Sequence, residues 1–219
     1  EMADKYKRVK FIGVDIVPIQ TRHPDSNVQF EIQDVSQRLR YRDNDFDLVH
    51  ARCTAFSVRY YYKMILEVAR ILRPGGLFIS GEFINRPAIQ DGSDPWIRCP
   101  RTCEFIELTA RALALRGICV DLARTIPIWL RQTEQFYDIY SNTYRLPIGE
   151  WHPSPGQRRL GKKARKIFVG FAHAVRPLLE RSGLRSPPEI RRMIAGYTHE
   201  LEHVRGLIMC YQVVYARKR

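Results

Sequence analysis

The predicted fold depends on the stretch "FIGVDIVPIQ", residues 11–20. Its apolar run ends at a single acidic residue, Asp15, and Pro18 then interrupts the pattern. A buried parallel strand that ends in a carboxylate is typical of nucleotide sites, where the carboxylate accepts hydrogen bonds from a ribose. We therefore predict a strand that ends at Asp15. Taken alone, the pattern also fits a helix N-cap or a solvated loop aspartate.

Two further strands are predicted downstream, and each ends in polar side chains. The segment "NVQFEIQDV" (27–35) alternates apolar and polar residues and reaches Asp34. The segment "FDLVHAR" (46–52) brings His50 and Arg52 to its end. Because the carboxyl ends of parallel strands meet at one edge of a sheet, we expect these side chains to share that edge. Asp34 can accept from an amino group, and Arg52 can pair with a carboxylate.

A helix and a fourth strand follow. Residues 60–72, "YYYKMILEVARIL", have helical periodicity, with Tyr61, Ile65, Val68 and Leu72 on one stripe. The turn "RPGG" (73–76) is predicted to end this helix, and "LFISGEF" (77–83) is predicted as a buried strand. Strands that alternate with helices indicate an α/β fold with a mostly parallel sheet.

The second half is predicted to be more helical. Helices are expected over 100–117, 122–133 and 187–204, with extended strands at 135–149 and 207–219. A basic amphipathic helix is expected in addition, within an added helical segment over about 157–205. Its predicted core stripe consists of Leu160, Ala164, Ile167, Phe171, Ala174 and Leu178.

Positive charge is concentrated in the second half. The net charge is +13, but residues 1–97 hold 14 basic and 13 acidic residues, whereas residues 98–219 hold 22 and 10. The densest run, 157–176, has seven basic residues and no acidic one. Such a run fits a docking surface for an acidic protein partner, a lid whose basic face is solvated, or a nucleic-acid contact. Its apolar stripe favours packing as a lid over nucleic-acid binding.

Cysteine and hydropathy patterns restrict the class of protein. The five cysteines are odd in number and irregularly spaced, which favours free thiols in a reducing compartment, cytoplasmic or nuclear, and no metal site. No run reaches the ~18 apolar residues of a membrane span, so no membrane role is expected.

The order of these segments resembles class I S-adenosylmethionine-dependent methyltransferases, and within them the fungal LaeA-like branch. "FIGVDIVPIQ" is similar to that branch's ribose-binding strand and its Pro-Ile-Gln turn. "NVQFEIQDV" resembles the adenine-side strand, and "ILRPGGLFISGEF" resembles a later motif of the fold. "YRLPIGEW" (144–151) and "YQVVYARKR" (211–219) extend the likeness to nearly the whole chain.

The resemblance implies a fold class, a cofactor and a set of binding residues. The fold would be a Rossmann-like class I methyltransferase sheet, mostly parallel with the last strand antiparallel. The cofactor would be S-adenosyl-L-methionine, and the acceptor a small molecule or a protein. The implied cofactor-binding residues are Asp15 and Ile16 at the ribose, Gln33, Asp34 and Val35 at the adenine, and His50, Ala51 and Arg52 at the methionine end or the acceptor pocket.

The resemblance also implies how the chain is organised. A strand and a glycine-rich turn are expected to precede Glu1, since no G-x-G-x-x-G occurs in the 219 residues. Residues 1–97 would form the cofactor-binding half of a single domain, and 98–219 the acceptor or lid half. No catalytic residue is assigned. Candidates for the acceptor side are Glu82, His50, Tyr140 and Trp151.

Two other functions fit parts of the pattern. A non-catalytic interaction module on a degenerate methyltransferase fold would keep the shape without the cofactor. An NAD-dependent dehydrogenase shares the acidic strand end, but the order "HAR" then "RPGG", together with Asp34, argues against it.

Overall fold

The computed structural model describes residues 2–18, 21 and 23–219. Its helices are α1 (Met2–Lys5), α2 (Tyr61–Ile71), α3 (Pro95–Arg98), α4 (Pro100–Ala114), α5 (Leu122–Gln132), α6 (Pro155–Ser182) and α7 (Pro187–His203). Its strands are β1 (Phe11–Asp15), β2 (Val28–Ile32), β3 (Phe46–Arg52), β4 (Leu72–Ile89), β5 (Phe136–Pro147) and β6 (Leu207–Lys218). Within the described residues, every helix is too short or too polar to cross a bilayer.

The strands form two hydrogen-bonded sheets. β1 and β2 pair in parallel, and a four-stranded sheet has the order β3-β4-β6-β5. β3 and β4 run parallel, whereas β6 lies antiparallel to both of its neighbours, β4 and β5. The prediction of a mostly parallel sheet with an antiparallel last strand is therefore confirmed.

β4 is longer than predicted. Its strand begins at Leu72, directly after α2, rather than at Leu77. Phe46 of β3 pairs with Leu72, and Leu48 pairs with Leu77, so that residues 73–76 form a bulge between two paired positions. Gly75 has φ +77°, a left-handed conformation that glycine adopts readily. Helix α2 ends at Ile71, just before "RPGG", as predicted, but the predicted start of the strand at Leu77 was wrong, because the turn is a bulge within β4.

The two-stranded sheet is joined to α2 through the connection between β2 and β3. Glu67 of α2 accepts a hydrogen bond from the backbone N–H of Leu39 at 2.8 Å, and Arg70 donates to the carbonyl of Tyr41 at 2.8 Å. The Tyr41 hydroxyl donates back to Glu31 of β2 at 2.8 Å. These contacts fix β2 relative to α2.

Two apolar clusters form the core. One lies between the four-stranded sheet and helices α2 and α5, and includes Ile65, Phe78 and Leu130. The other is built from α4, α6 and α7 against the distal ends of β4 and β6, and includes Phe105 and Tyr197 in a stacked pair. Most of the helical segment predicted over 157–205 thus packs as its own layer.

Helix α6 buries only part of the predicted stripe: Ala164 is buried, and Phe171 and Leu178 are half-buried against the core. Gly161, Ala164 and Ala172 are fully buried, whereas Leu160 is 42% exposed and Ile167 is 65% exposed. At Gly161, an added Cβ would lie 2.0 Å from the carbonyl oxygen of Gly149, so only a glycine permits this contact. The prediction was wrong at Leu160, Ile167 and Ala174, which are exposed. Small residues form the closely packed side of the helix, and the larger side chains of Leu160 and Ile167 therefore point outward.

Candidate functional site

The two predicted carboxylates lie at the same edge of the β1–β2 sheet. Asp15 ends β1, and the backbone N–H of Gln33, just after β2, donates to the Asp15 carbonyl at 3.1 Å. Asp34 is the next residue. This link brings both acidic residues to the carboxyl edge, where open α/β sheets bind ligands.

Both carboxylates accept hydrogen bonds from residues that follow them in the chain. The Oδ1 atom of Asp15 accepts from the Val17 N–H at 3.1 Å, and Oδ1 of Asp34 accepts from the Ser36 N–H and hydroxyl at 2.9 and 2.7 Å. The bonds from Ser36 lower the pKa of Asp34. Among the described residues, nothing donates to the Oδ2 atom of Asp15, which can therefore accept from a ribose diol. The Asp34 carboxylate is also bonded by the Gln37 side chain.

The other residues predicted at this edge have mixed environments. Ile16 is 65% exposed and can lie against a ligand. Val35 is half-buried and packs against the α2/α5 core. The Gln33 amide donates to Glu31 and to the Tyr41 hydroxyl, and accepts from the Arg40 N–H, so its side chain is held by the protein. The turn at Ile19 and Gln20 lies outside the described residues.

The end of β3 places its three predicted residues on two faces. His50 and Arg52 are exposed on one face, while Ala51 is half-buried against the α2/α5 core. Desolvation, followed by the nearby Arg52 charge, lowers the pKa of His50. A neutral imidazole can accept a hydrogen bond, which suits either ligand orientation or proton transfer.

A buried polar network adjoins the end of β3. Glu82 of β4 is 2% exposed and accepts hydrogen bonds from the backbone N–H of Thr54 at 2.8 Å and from its hydroxyl at 2.9 Å. Burial raises the pKa of Glu82, partly offset by these donors. The Tyr61 hydroxyl lies 3.1 Å from that of Ser80, and burial raises the pKa of Tyr61 to about 12. The network anchors the segment that follows β3.

Beside this network, Tyr211 packs directly over Gly81. An added Cβ on Gly81 would lie 2.1 Å from the Tyr211 hydroxyl oxygen, so the ring requires a glycine beneath it. The hydroxyl faces the Cys53 thiol, and burial raises the pKa of Tyr211 to about 12. Cys53 has φ +54°, a left-handed conformation uncommon for a residue with a side chain. The first residue after β3 is therefore strained.

The structure brings together some of the predicted residues and separates others. Asp15 and Asp34 share one edge, whereas His50, Ala51 and Arg52 belong to the four-stranded sheet, and no ladder joins the two sheets in the described residues. The candidate Tyr140 is exposed on β5, and the Trp151 indole N–H donates to the Ile148 carbonyl at 2.8 Å.

Sequence reasoning missed four members of the site. They are Thr54, Tyr61, Ser80 and Tyr211. A signal existed for Ser80, since polar residues within the apolar run "FISGEF" indicate buried hydrogen bonding. Among the described residues, no three His, Cys, Asp or Glu side chains are grouped to hold a metal ion.

Comparisons with known proteins show which families the chain is similar to. Residues 1–80 match a family model described as a methyltransferase domain. The chain is 29% identical over 195 residues to the secondary metabolism regulator laeA of Coprinopsis cinerea, covering 84% of this chain and 47% of that protein. It is 27% identical over 173 residues to the methyltransferase pytC of Aspergillus terreus, covering 77% and 51%. The chain thus spans about half the length of the curated relatives it matches.

Solved structures show the same architecture. A Haemonchus contortus phosphoethanolamine N-methyltransferase 2 in complex with S-adenosyl-L-methionine has a TM-score of 0.56 at 15% identity, covering 99% of this chain and 44% of that one. The [4+2]-cyclase SpnF has a TM-score of 0.51 at 20% identity, covering 96% and 66%. These neighbours confirm the predicted fold class, and the family model and curated relatives confirm the predicted family resemblance. That a cyclase shares the fold shows that the fold alone does not specify a reaction.

Proposed function

We propose that this chain, a relative of the class I S-adenosylmethionine-dependent methyltransferases of the fungal LaeA-like group, transfers a methyl group from S-adenosyl-L-methionine to a small-molecule or protein acceptor. The setting would be secondary metabolism or its regulation, as the names of its relatives suggest. The observation that carries the proposal is the pair Asp15 and Asp34 at one sheet edge, where the described residues leave the Oδ2 atom of Asp15 free.

The residues at that edge fit the two ends of an adenosine. Asp15 would accept from the ribose hydroxyls, with Ile16 beside it, and Asp34 would accept from the adenine amino group, with Gln33 and Val35 lining the ring. His50, Ala51 and Arg52 would border the methionine end. In this assignment residues 1–97 hold the cofactor, and residues 98–219 form the acceptor or lid half.

Methyl transfer requires correct positioning of the acceptor more than it requires a catalytic group. S-adenosyl-L-methionine supplies a methyl on a sulfonium, which is reactive without further activation. The protein's part is to hold the acceptor atom in line and to exclude water. Glu82 contributes by fixing Thr54, and hence the segment after β3, through two hydrogen bonds. The described geometry assigns no catalytic base.

Calorimetric titration of S-adenosyl-L-methionine tests this function. We expect saturable binding that Asp15→Ala weakens by about 1–3 kcal/mol, because a charge-assisted hydrogen bond is lost. The matched control is Asp25→Ala, which changes an exposed carboxylate at the opposite end of the same small sheet. Absence of binding at millimolar ligand would rule out the proposal, and equal affinity in Asp15→Ala would remove Asp15 from the site.

A second function has an observation in its favour. β1–β2 forms a sheet separate from β3 in the described residues. A non-catalytic interaction module does not need one continuous sheet across the cofactor residues. Intact folding combined with absence of cofactor binding in the titration would favour this alternative.

We further propose that the exposed basic face of α6 docks an acidic segment of a protein partner. Arg159, Lys163 and Lys166 are exposed, and none pairs with an acidic side chain among the described residues. Leu160 and Ile167 lie exposed among them and supply apolar contact area. Polyglutamate serves as the probe. We expect salt-sensitive binding that K163E/K166E abolishes and that K10E/R116E, an equal charge change elsewhere, retains. If both variants lost polyglutamate binding equally, the binding would depend on net charge alone and the α6 surface would not be the docking site.

A further inference from the structure

An open cavity of about 430 Å³ lies beside the distal part of β4, outside the predicted cofactor residues. It is bordered by β4, by α3 and α4, and by the residues that precede α5. Its volume falls within the ~300–1,000 Å³ range of small-molecule sites. The size therefore suits a small molecule.

The cavity wall is mainly apolar. Its lining includes Ile106 and Ala110 of α4 together with Pro87 and Val120, and Trp96 of α3 adds an indole ring that is 53% exposed. A large aromatic side chain that remains half exposed at the rim of a cavity offers a stacking surface for a flat ligand. The lining thus favours an aromatic or conjugated occupant.

Three polar side chains on the wall have no protein partner. Among the described residues, the Asn85 amide, the Arg86 guanidinium and the Glu107 carboxylate make no hydrogen bond or ion pair. Each can therefore bond to a ligand without first losing a protein contact. Together they can satisfy both donors and acceptors, as a molecule with hydroxyl or carbonyl groups would require.

We propose that this cavity binds a flat, mainly apolar small molecule that carries hydrogen-bonding oxygens. Its role as the methyl acceptor rests on the proposed function. Asn85 follows Glu82 by three residues on β4, about 10 Å along an extended strand. The cavity thus lies further along β4 than the network that fixes Thr54.

The experiment uses the neutral probe 2-naphthol, titrated into the full chain and followed by calorimetry. We expect saturable binding that Ala110→Trp weakens at least tenfold, because the new side chain fills the cavity. Ala114→Trp is the matched control, since Ala114 lies one turn further along α4 and is exposed. Trp96→Ala, which removes a surface ring outside the two core clusters, gives a second test that does not depend on accommodating a larger side chain.

The outcomes separate the cavity from the cofactor site. The proposal is supported when Ala110→Trp and Trp96→Ala lose 2-naphthol but keep their affinity for S-adenosyl-L-methionine. It is overturned when the unchanged chain does not bind 2-naphthol saturably, or when Ala110→Trp and Trp96→Ala bind it as the unchanged chain does. Retained 2-naphthol binding without cofactor binding would leave the cavity as a ligand site and remove only its role in methyl transfer.

Discussion

The two faces of the four-stranded sheet have different environments. Toward α2 and α5, alternate residues such as Phe78, Ser80 and Val214 are 1% exposed or less. Their immediate neighbours Ile79, Val213 and Tyr215 point to the other face and are only half-buried. Because side chains alternate along a strand, one sequence supplies both faces, and the packed helices decide which one becomes core.

One face of the sheet therefore contributes mainly to stability, and the other carries residues proposed to bind the ligand. The covered face holds the apolar cluster and the buried Glu82, whereas His50 and Arg52 lie on the opposite face. Removal of apolar side chains from the covered face should therefore lower the free energy of unfolding, and the same removal on the opposite face should lower it much less. Four tests follow, two of this contrast and two of contacts at neighbouring positions of β4.

The largest effect is expected at Phe78. Phe78→Ala removes a fully buried ring from the α2/α5 cluster and should cost about 3–5 kcal/mol of unfolding free energy. Urea denaturation measures the loss. A cost below about 1 kcal/mol would show that α2 and α5 do not pack on this face as described.

Neighbouring valines of β6 give a matched comparison. Val214→Ala, on the covered face, should cost about 2 kcal/mol, since two buried carbons are lost and a small void is left. Val213→Ala makes the same change on the opposite face and should cost less than about 1 kcal/mol. Equal costs in urea denaturation would contradict the difference between the faces.

A smaller effect is expected at Gly81. Gly81→Ala should destabilise by about 1 kcal/mol, because its Cβ meets the Tyr211 hydroxyl and the ring must move. The double variant Gly81→Ala/Tyr211→Ala should have the same unfolding free energy as Tyr211→Ala alone. Additive losses in a double-mutant cycle would argue against the contact.

Glu82→Gln should give the smallest effect, and one that depends on pH. Burial raises the pKa of Glu82 above its usual 4.5, so the folded protein binds its proton more tightly than the unfolded chain. Wild-type stability is therefore lost as pH rises from about 4.5 through the raised pKa. Glutamine keeps an oxygen for Thr54 but does not titrate. The thermal midpoint of the wild type should therefore fall relative to that of Glu82→Gln between about pH 5 and about pH 8. A difference between the two midpoints that does not change with pH would contradict this role.

Local patterns predicted most elements of the fold. The strands ending at Asp15 and Arg52 and the helix of residues 187–203 follow directly from periodicity, and Ile190, Ile194, Tyr197 and Leu201 are buried at helical spacing. The capping box of Ser186 with Glu189 fixes where that helix begins.

Features that depend on tertiary contacts escaped prediction. The register that turns "RPGG" into a bulge is set by β3, which lies more than 20 residues earlier. The outward position of Ile167 follows from close contact between Gly161 and Gly149. The Thr54–Glu82 bond joins residues 28 apart. None of these can be read from a local window of sequence.

Hydrogen exchange with and without S-adenosyl-L-methionine tests the central claim most directly, because it locates the bound cofactor on the sheet. Ligand at the carboxyl edge should slow exchange at residues 14–18, 33–36 and 50–54, and should leave α5 unchanged. Unaltered exchange at all three segments under saturating ligand, or protection confined to α5, would contradict the placement of the cofactor site.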